Sequence, residues 1–241
     1  MPGTRPGMTS EKVTGMTETK DLSRWTPRQR PQRNPMAGRY ARLEPLDVAK
    51  HGDQLFEACN TTDADRLWRY SADGPYPTRE SFEPWLQKAA ASDDPLMFVV
   101  IDKATGRVEG HQTYLRITPD HGVIEIGYIL WGPRIGRTRV ATEAFYLFAA
   151  HVFDDLGYRR YEWKCDNANT PSKEAALRFG YSFEGIFRQH MVRKGQNRDT
   201  AWFSMLDSEW PRIRRAFQDW LAPENFASDG QQKTKLAARG R

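Results

Sequence analysis

Cysteine is scarce in this sequence of 241 residues, and long apolar runs are missing from it. Its two cysteines, Cys59 and Cys165, lie far apart and outside any C-x-x-C pair, so they cannot build a disulfide framework. The longest apolar runs, such as residues 96–101, have the length of a strand and fall far short of a membrane span. No charged segment followed by an apolar stretch opens the chain, so no secretory signal is predicted. We therefore expect a soluble, cytoplasmic protein with no membrane partner.

Two further absences narrow the chemistry. The sequence has no metal-ligand cluster of the H-E-x-x-H or C-x-x-C kind, so no metal is expected. It also has neither G-x-G-x-x-G nor G-x-x-x-x-G-K-[ST], so neither a dinucleotide fold nor a P-loop is predicted.

The net charge of +5 invites a nucleic-acid interpretation, but the charge lies in the tails. Residues 1–34 carry seven basic and three acidic side chains, and residues 222–241 carry four basic and two acidic ones. What lies between them is nearly neutral. A nucleic-acid-binding module carries its basic face on the folded part, so the distribution argues against a nucleic-acid partner.

Composition also predicts the domain boundaries. The two tails are poor in aliphatic residues, and the first is rich in Pro, Arg, Gln and Thr. Such segments cannot bury enough surface to offset their ordering entropy. We therefore expect disordered tails at residues 1–35 and 222–241, and one domain at residues 36–221.

Inside the domain the apolar periodicity alternates between that of strands and that of helices. The pattern predicts an α/β fold in which one mixed, seven-stranded sheet carries helices on both faces. The predicted strands are residues 38–43, 96–102, 108–117, 122–131, 159–164, 183–193 and 200–206, and the predicted helices are 47–58, 78–91, 141–156, 170–179 and 210–221.

The most informative segment follows the strand at 122–131. Gly132-Pro133 ends that strand, and a turn-prone loop carrying Arg134, Arg137 and Arg139 runs directly into the next helix. Free backbone N–H groups and the positive end of the helix dipole bind phosphates in this geometry. The alternative is a solvated basic loop, and these residues alone do not decide between the two.

Residues 124–185 resemble the GNAT superfamily of N-acetyltransferases. That family carries a loop of the form Gln/Arg-x-x-Gly-x-Gly/Ala before a helix that often opens Ala-Thr-Glu-Ala. Here Gly136 and Arg139 stand where the family has Gln/Arg and the middle Gly, and Ala141 matches the last position. The other matching motifs are Ala141-Thr142-Glu143-Ala144, Asn169-Thr170-Pro171-Ser172 with Gly180-Tyr181 and Glu184-Gly185, and Glu125-Ile126-Gly127-Tyr128, the last being typical of the Rim-like (ribosomal-protein N-terminal acetyltransferase) branch.

The resemblance implies the GNAT fold, whose mixed sheet is mostly antiparallel, and acetyl-CoA as cosubstrate with no metal. It implies transfer of the acetyl group to a primary amine, which attacks the thioester directly in a ternary complex. The cofactor-binding residues that it implies are Ile129, Trp131 and Asn169 for the pantetheine arm and Arg137, Thr138, Arg139, Val140 and Ala141 for the pyrophosphate.

Two residues are candidates for catalysis. Glu125 is the candidate base, because a carboxylate within a strand is partly desolvated and so accepts a proton more readily. The alternative is an outward-facing strand residue. Ser172 is the candidate donor to the leaving thiolate, because Ala176 stands where many relatives have a tyrosine and the Rim-like branch has serine at the position of Ser172. The alternative is a serine that binds backbone at the start of its helix.

The acceptor is expected near residues 60–77, a region that borders the acceptor site in this family. Acidic and aromatic side chains there suit a cationic amine, either a protein N-terminus or a small molecule. A competing hypothesis is a catalytically degenerate acyl-CoA-binding module that acts as a sensor or binds a partner. The acidic and aromatic residues of segment 60–77 that suit the amine are Asp63, Asp65, Trp68, Tyr70, Asp73 and Tyr76. The sequence is also compatible with a homodimer.

Overall fold

Eight strands form one sheet in the part of the chain that the computed structural model describes, residues 21–61 and 63–239. The strand order is β1-β2-β3-β4-β5-β6-β8-β7, and among these strands β5 and β6 are the one parallel pair. The mixed, mostly antiparallel sheet that the sequence predicts is therefore confirmed. The strands are β1 (Met36–Ala37), β2 (Ala41–Pro45), β3 (Leu96–Asp102), β4 (Arg107–Thr118), β5 (Val123–Trp131), β6 (Arg160–Asp166), β7 (Ser182–Arg193) and β8 (Gln196–Leu206).

Helices cover both faces of this sheet, as predicted. Alternate residues of β3 show the division: Phe98 and Val100 pack in one core, and Met97 and Val99 pack in the other. The first core lies under α4 and α6, and the second lies under α1, α2 and α3. The helices are α1 (Val48–Cys59), α2 (Ala64–Trp68), α3 (Arg79–Ala91), α4 (Arg139–Ala150), α5 (Thr170–Arg178) and α6 (Trp210–Leu221).

The elements differ from the predictions at a few points. The structure has eight strands instead of seven, because the two-residue strand β1 pairs with β2. The helix predicted at 141–156 begins at Arg139, and its last turn, His151–Asp155, is a π-helix. The short helix α2 was not predicted, since five residues are too few for a periodic pattern.

The parallel pair β5–β6 creates the feature that positions the site. The two strands pair only from Val123 with Arg160 to Ile126 with Trp163. Beyond these residues β5 pairs only with β4, and β6 pairs only with β8. A gap therefore opens between the last residues of β5 and those of β6.

Residues 21–35 lie against the body of the domain. The Trp25 indole donates to the Asp120 carbonyl at 2.7 Å, and the Arg28 N–H donates to the Pro119 carbonyl at 3.1 Å. Composition predicts disorder here, but it does not reveal that one tryptophan and several arginines donate to backbone carbonyls in distant parts of the sequence. The rest of the predicted N-terminal tail, residues 1–20, lies outside the described residues.

Residues 222–239 differ from the predicted disordered tail in the same way. Phe226 and Ala238 are buried in the core under α6. The Phe226 ring meets Trp220 edge to face, with ring centroids 5.1 Å apart. Buried Asn225 donates to the Trp220 carbonyl at 2.9 Å and accepts from the Thr234 N–H at 2.9 Å. A few anchoring residues thus order a segment whose average composition is that of a tail.

Among the described residues, no helix has both the length and the apolar character that crossing a membrane requires.

Candidate active site

The loop after β5 leads from the gap to the first turn of α4. The Gly132 N–H donates to the Glu109 carbonyl at 2.8 Å, and the Ile135 side chain is buried, so both ends of the turn are fixed. Arg137 follows with φ +66°, a left-handed conformation that is uncommon for a residue other than glycine. The loop is thus a built turn that delivers the chain to the helix.

Thr138 caps α4 with its side chain. Its Oγ1 accepts from the Val140 N–H at 3.2 Å and donates to the Ile135 carbonyl at 2.8 Å. The N–H groups of Arg139 and Ala141 have no acceptor within the helix, because they belong to its first turn. Open N–H groups at the positive end of a helix dipole favour an anion such as a pyrophosphate. Val140 was also predicted to bind the pyrophosphate, but its N–H already donates to the Thr138 hydroxyl.

The three arginines of the loop have different surroundings. Arg134 pairs with the buried carboxylate of Glu109 at 2.7 Å, which raises the pKa of the arginine. Arg139 stacks over the Tyr40 ring at 4.5 Å and over the Phe226 ring at 5.2 Å. Arg137 makes neither kind of contact with the described residues. Of the three, Arg137 is the one whose side chain no group within residues 21–61 and 63–239 holds.

Glu143 fixes the start of β2 on α4. Its buried carboxylate accepts from the N–H groups of Arg39 at 2.9 Å, Tyr40 at 2.5 Å and Ala41 at 2.6 Å. These bonds satisfy backbone donors that β1 and β2 leave free. The residue therefore has a structural role, although it lies inside the recognisable Ala-Thr-Glu-Ala run.

Arg178 is a cation beside the first turn of α4 that the sequence reasoning missed. Its Nη1 donates to Thr142 Oγ1 at 3.3 Å, and its guanidinium lies 5.1 Å over the Trp220 ring. Burial lowers its pKa, and no carboxylate within residues 21–61 and 63–239 forms an ion pair with it. The residue lies at the end of α5 in sequence, so only the fold reveals that it is near the loop.

Asn169 and Ser172 lie at the start of α5, next to the end of β6. Asn169 caps the helix by accepting from the Ser172 N–H at 3.2 Å. The Ser172 hydroxyl accepts from Trp163 Nε1 at 3.0 Å, which leaves its own proton to be donated elsewhere. Burial raises the pKa of the neighbouring Cys165 thiol, and a hydrogen bond from Ser172 partly offsets that rise. A thiol of this kind is a poor nucleophile.

Glu125 is buried on the sheet face that carries α1 to α3, because its neighbours Ile124 and Ile126 point into the opposite core. The Arg116 side chain donates to both of its oxygens, at 2.6 and 3.1 Å. The Lys164 ammonium lies 2.8 Å from the same carboxylate. Glu125 is therefore buried, as expected for a candidate base, but two cations that the sequence did not reveal contact its carboxylate.

Lys164 lies between the carboxylates of Glu125 and Glu162 and contacts both. Its side chain is as buried as that of Glu125, and its ammonium also lies 3.0 Å from a Glu162 oxygen. The same ammonium lies 3.5 Å above the Trp202 ring. These groups share one sheet face at the bottom of the gap, where β5 and β6 separate.

Four polar side chains on this face have buried atoms with no hydrogen-bond partner among the described residues. We call them the polar floor: both ring nitrogens of His111, the Thr113 hydroxyl, Arg198 Nε and Trp202 Nε1. Burial lowers the pKa of His111 to about 4, so the ring is neutral near pH 7. Unsatisfied buried groups are rare in proteins and mark places where a ligand or water completes the structure. Sequence reasoning missed the floor, because its members come from β4 and β8.

The backbone of β5 is irregular beside the floor. Thr113 pairs with Gly127 and His111 pairs with Leu130, so β5 has an extra residue between these pairs. Tyr128 lies in this bulge with φ +42°. Strain of this kind persists where the surrounding structure enforces it, often at a functional site. After the bulge, the backbone edge of residues 129–131 faces the gap and is not paired with β6. The Trp131 Nε1 donates to Gln112 at 3.2 Å.

The segment at 60–77 bridges to the β7–β8 hairpin above the floor. Arg193 donates to the Tyr70 carbonyl at 3.0 Å, and Lys194 donates to the Gly74 carbonyl at 3.0 Å. The Tyr70 hydroxyl donates to the Ala168 carbonyl at 3.1 Å, which joins this bridge to the start of α5. We call these contacts the bridge.

Two of the three acidic residues predicted to receive the amine have protein partners. Asp63 pairs with Arg66 at 3.0 Å, and Asp73 accepts from Trp85 Nε1 at 3.3 Å. Asp65 lies in the first turn of the short helix α2. Trp68 is fully buried and packs against the half-buried Tyr76.

A gap between parallel strands, a basic turn and an open helix start together define an acetyltransferase-type α/β domain. Residues 41–182 match the family described as acetyltransferase (GNAT) domain, which is more than half of the sequence, and the chain belongs to that family. The predicted GNAT fold is confirmed.

Similar proteins of known sequence or structure carry the same description. The crystal structure of a GCN5-related N-acetyltransferase from Brucella melitensis superimposes with a TM-score of 0.88 at 61% identity, covering 89% of this chain and 97% of that one. A probable acetyltransferase (GNAT family) from Chromobacterium violaceum reaches a TM-score of 0.75 at 38% identity, covering 86% and 100%. The uncharacterized N-acetyltransferase p20 of Bacillus licheniformis is 29% identical over 160 residues, which are 61% of this chain and 89% of that protein.

Proposed function

We propose that the protein transfers the acetyl group of acetyl-CoA to a primary amine. The observation that carries the proposal is the gap between β5 and β6, which leads directly to the open first turn of α4. An extended pantetheine arm fits beside the unpaired edge at Ile129 and Trp131, with Asn169 on the other side. The pyrophosphate then reaches Arg137 and the N–H groups of Arg139 and Ala141. Arg178 adds a further cation near the same turn.

The reaction follows from these positions. The amine nitrogen attacks the thioester carbonyl carbon, the C–N bond forms, and the C–S bond breaks. A free N–H in the Tyr128 bulge would stabilise charge on the carbonyl oxygen. The Ser172 hydroxyl oxygen accepts from Trp163, and its O–H would turn from the Cys165 thiol to the departing thiolate, which is the stronger acceptor. Cys165 takes no part, because a buried thiol of raised pKa does not support an acyl-enzyme route.

The proton of the attacking amine goes to Glu125, directly or through a water molecule. Its place at the bottom of the gap supports this role. The contacts with Arg116 and Lys164 mean that the residue acts within a charged group and not alone. The bridge above leaves an acceptor site over the polar floor, between residues 60–77 and the β7–β8 hairpin.

We further propose a place in the Rim-like branch, with a protein N-terminus or a small-molecule amine as acceptor. The Glu125-Ile126-Gly127-Tyr128 strand and the position of Ser172 support it. A cytoplasmic location stays a prediction.

The test is a thiol-release screen with acetyl-CoA across peptide N-termini, polyamines and antibiotic amines, followed by mass spectrometry of the product. Release of CoA together with an acetylated amine supports the proposal. Tight acetyl-CoA binding without turnover on any amine would favour the competing module that only binds acyl-CoA. No binding of CoA would reject both.

A further inference from the structure

Arg198 is a buried cation without a counter-ion. Its residue exposure is 9%, and no carboxylate of residues 21–61 and 63–239 lies within ion-pair distance of its guanidinium. Its nearest polar partner is the Met191 sulfur, 3.7 Å from Nη1, and Nε has none. Burying an unpaired charge costs several kcal/mol unless a ligand or solvent compensates it.

The charges around Arg198 make this cost larger. Burial lowers the pKa of the guanidinium, and the positive charges of Arg193 and Arg116 act in the same direction. Asp166 opposes them, but it forms no ion pair with Arg198. Burial lowers the pKa of His190, and the positive charges of Arg198, Arg116 and Lys164 act in the same direction. The site therefore has an excess of positive charge inside the protein.

The sheet register places Arg198 beside the proposed acceptor site. Ala201, Phe203 and Met205 of β8 point into the core under α4, so Arg198 and Trp202 lie on the opposite face, with the polar floor. Thr200 pairs with Asp166 at the end of β6, and Arg198 lies two residues further along, towards the bridge. The Trp202 ring at the other end lies under Lys164, at the bottom of the gap.

This placement also sets the distance, within one acceptor molecule, between the amine that reacts in the gap and any group that contacts Arg198. Four strand residues from Trp202 to Arg198 span about 13 Å, at roughly 3.3 Å per residue. An extended Arg198 side chain would reduce the distance from its guanidinium to Trp202, but the two groups would stay well separated. The α-carboxylate of an amino acid lies only two bonds from its amine. It therefore cannot reach Arg198 while the amine lies at the thioester, near Trp202.

We propose that Arg198 binds a carboxylate of the acceptor, and that the acceptor is a peptide N-terminus with an acidic side chain shortly after its first residue. The amine then lies at the thioester while the acidic side chain neutralises the buried guanidinium. This inference rests on the proposed acetyl transfer and specifies its substrate class. Asp63 and Asp73 do not compete for Arg198, because they have other partners, and the electrostatic influences on Arg198 come from none of the acidic residues of segment 60–77.

The experiment uses C-terminally amidated tetrapeptides that begin with serine. A single Glu occupies the second, third or fourth position, and each peptide has a twin with Gln there. We expect kcat/KM of the wild-type protein to favour at least one Glu peptide by about tenfold or more, the scale of a charged hydrogen bond. Arg198→Gln should reduce the preference to near one, and Arg198→Lys should retain part of it. Arg188→Gln, which removes an equal charge from an exposed position of β7, should leave the preference unchanged.

Two further readouts keep the outcomes distinct. The acetyl-CoA KM of Arg198→Gln should stay within about twofold of wild type, and its melting curve should show a folded protein. A selective loss of acetyl-CoA affinity would overturn the inference by assigning Arg198 to the cofactor. Equal rates on Glu and Gln twins, or a preference that survives Arg198→Gln, would overturn it as well.

Direct binding separates this inference from the proposed function. If no amine is acetylated, titration of the Glu peptides into the CoA-bound protein still tests Arg198. Binding that depends on Glu and on Arg198, without turnover, would reject the catalytic proposal and keep the carboxylate site. Binding that ignores both would reject the carboxylate site.

Discussion

Ser172 shows how one hydrogen bond distinguishes a structural serine from a functional one. The Asn169 side chain accepts a hydrogen bond from the Ser172 N–H, and the Trp163 indole N–H donates one to the Ser172 hydroxyl oxygen. The hydroxyl therefore has no need to bind the backbone at the start of α5. Its proton interacts with the Cys165 thiol, and a thiolate between β6 and α5, where the gap ends, would be a stronger acceptor for it.

Ser172→Ala should lower kcat by roughly a hundredfold, since a donor to the leaving thiolate acts when negative charge develops on sulfur. Acetyl-CoA affinity should change little, because the donor matters least before that charge exists. Steady-state kinetics beside a binding titration measure both. Ser172→Thr, which keeps a hydroxyl, is the control. A variant with Ala at 172 that retains the wild-type kcat would reject the assignment.

The pair of Glu125 and Glu162 allows a matched test of the base. Both carboxylates contact the Lys164 ammonium, at 2.8 and 3.0 Å, but only Glu125 lies on β5 beside the gap. Glu125→Gln should lower kcat by roughly tenfold or more, with part of the loss recovered at high pH, where more of the amine is already deprotonated. Glu162→Gln disturbs the same ammonium and should retain most activity. Equal losses in the two variants would show that the charge network matters and not a base at 125.

At this scale the sequence predicted residues that belong to local motifs and missed those that depend on folding. Asn169, Ser172 and the basic loop lie next to recognisable runs. Arg178, Arg198 and the Lys164 network come from elements far apart in sequence, and no local spacing predicts that they meet.

Among the elements, α4 combines two functions at its first turn. Thr138 and the open N–H groups face the place where phosphates are expected, while Glu143 and Arg139 hold β2 and the C-terminal segment. The prediction of this helix from periodicity was good because its buried stripe is strong. Its start was predicted two residues late, since the cap lies inside an arginine-rich loop that reads as irregular.

Arg137→Glu should weaken acetyl-CoA binding by about 1–3 kcal/mol while leaving the melting temperature of the free protein nearly unchanged. Arg139→Glu should weaken binding and also lower the melting temperature, because its guanidinium lies on the Tyr40 and Phe226 rings. Calorimetric titration and thermal melting separate the two effects. If Arg137→Glu bound acetyl-CoA as tightly as the wild type, the loop would not contact the pyrophosphate.

On the scale of the whole molecule, residues 21–35 and 222–239 pack on the body of the domain. Phe226 is 8% exposed, contacts Trp220 and lies under Arg139, so the C-terminal segment reaches the helix that we propose for phosphate binding. Composition could not predict this, because it averages over the few residues that anchor the segment. The order of the elements, in contrast, was largely predictable, since strong periodicities recur along the chain.

Phe226→Ala should destabilise the protein by about 3 kcal/mol, the usual cost of emptying a buried phenylalanine site. The melting temperature should then fall by roughly 6–12 °C for a domain of this size. Phe187→Ala, on an exposed phenylalanine of β7, is the control and should change little. A melting temperature unaffected by Phe226→Ala would mean that the segment does not pack on the body in solution.

Acid should destabilise the fold through His111. Its pKa is about 4 in the folded protein against an ordinary value of 6.5, so the unfolded chain binds more protons between these values. Stability is therefore full above about pH 6.5 and falls as the pH drops towards 4, by about 3 kcal/mol in all. Urea unfolding of wild type and His111→Gln at pH 7 and pH 5 measures the difference. An equal loss in both proteins would contradict the burial of a neutral imidazole.

Hydrogen exchange with and without acetyl-CoA tests the central claim most directly. If the cofactor lies in the gap between β5 and β6, acetyl-CoA should slow exchange at residues 129–131 and at the first turn of α4, from 137 to 141. NADH and ATP at the same concentration should leave both segments unchanged. Protection elsewhere in the domain, or equal protection by all three nucleotides, would contradict the account.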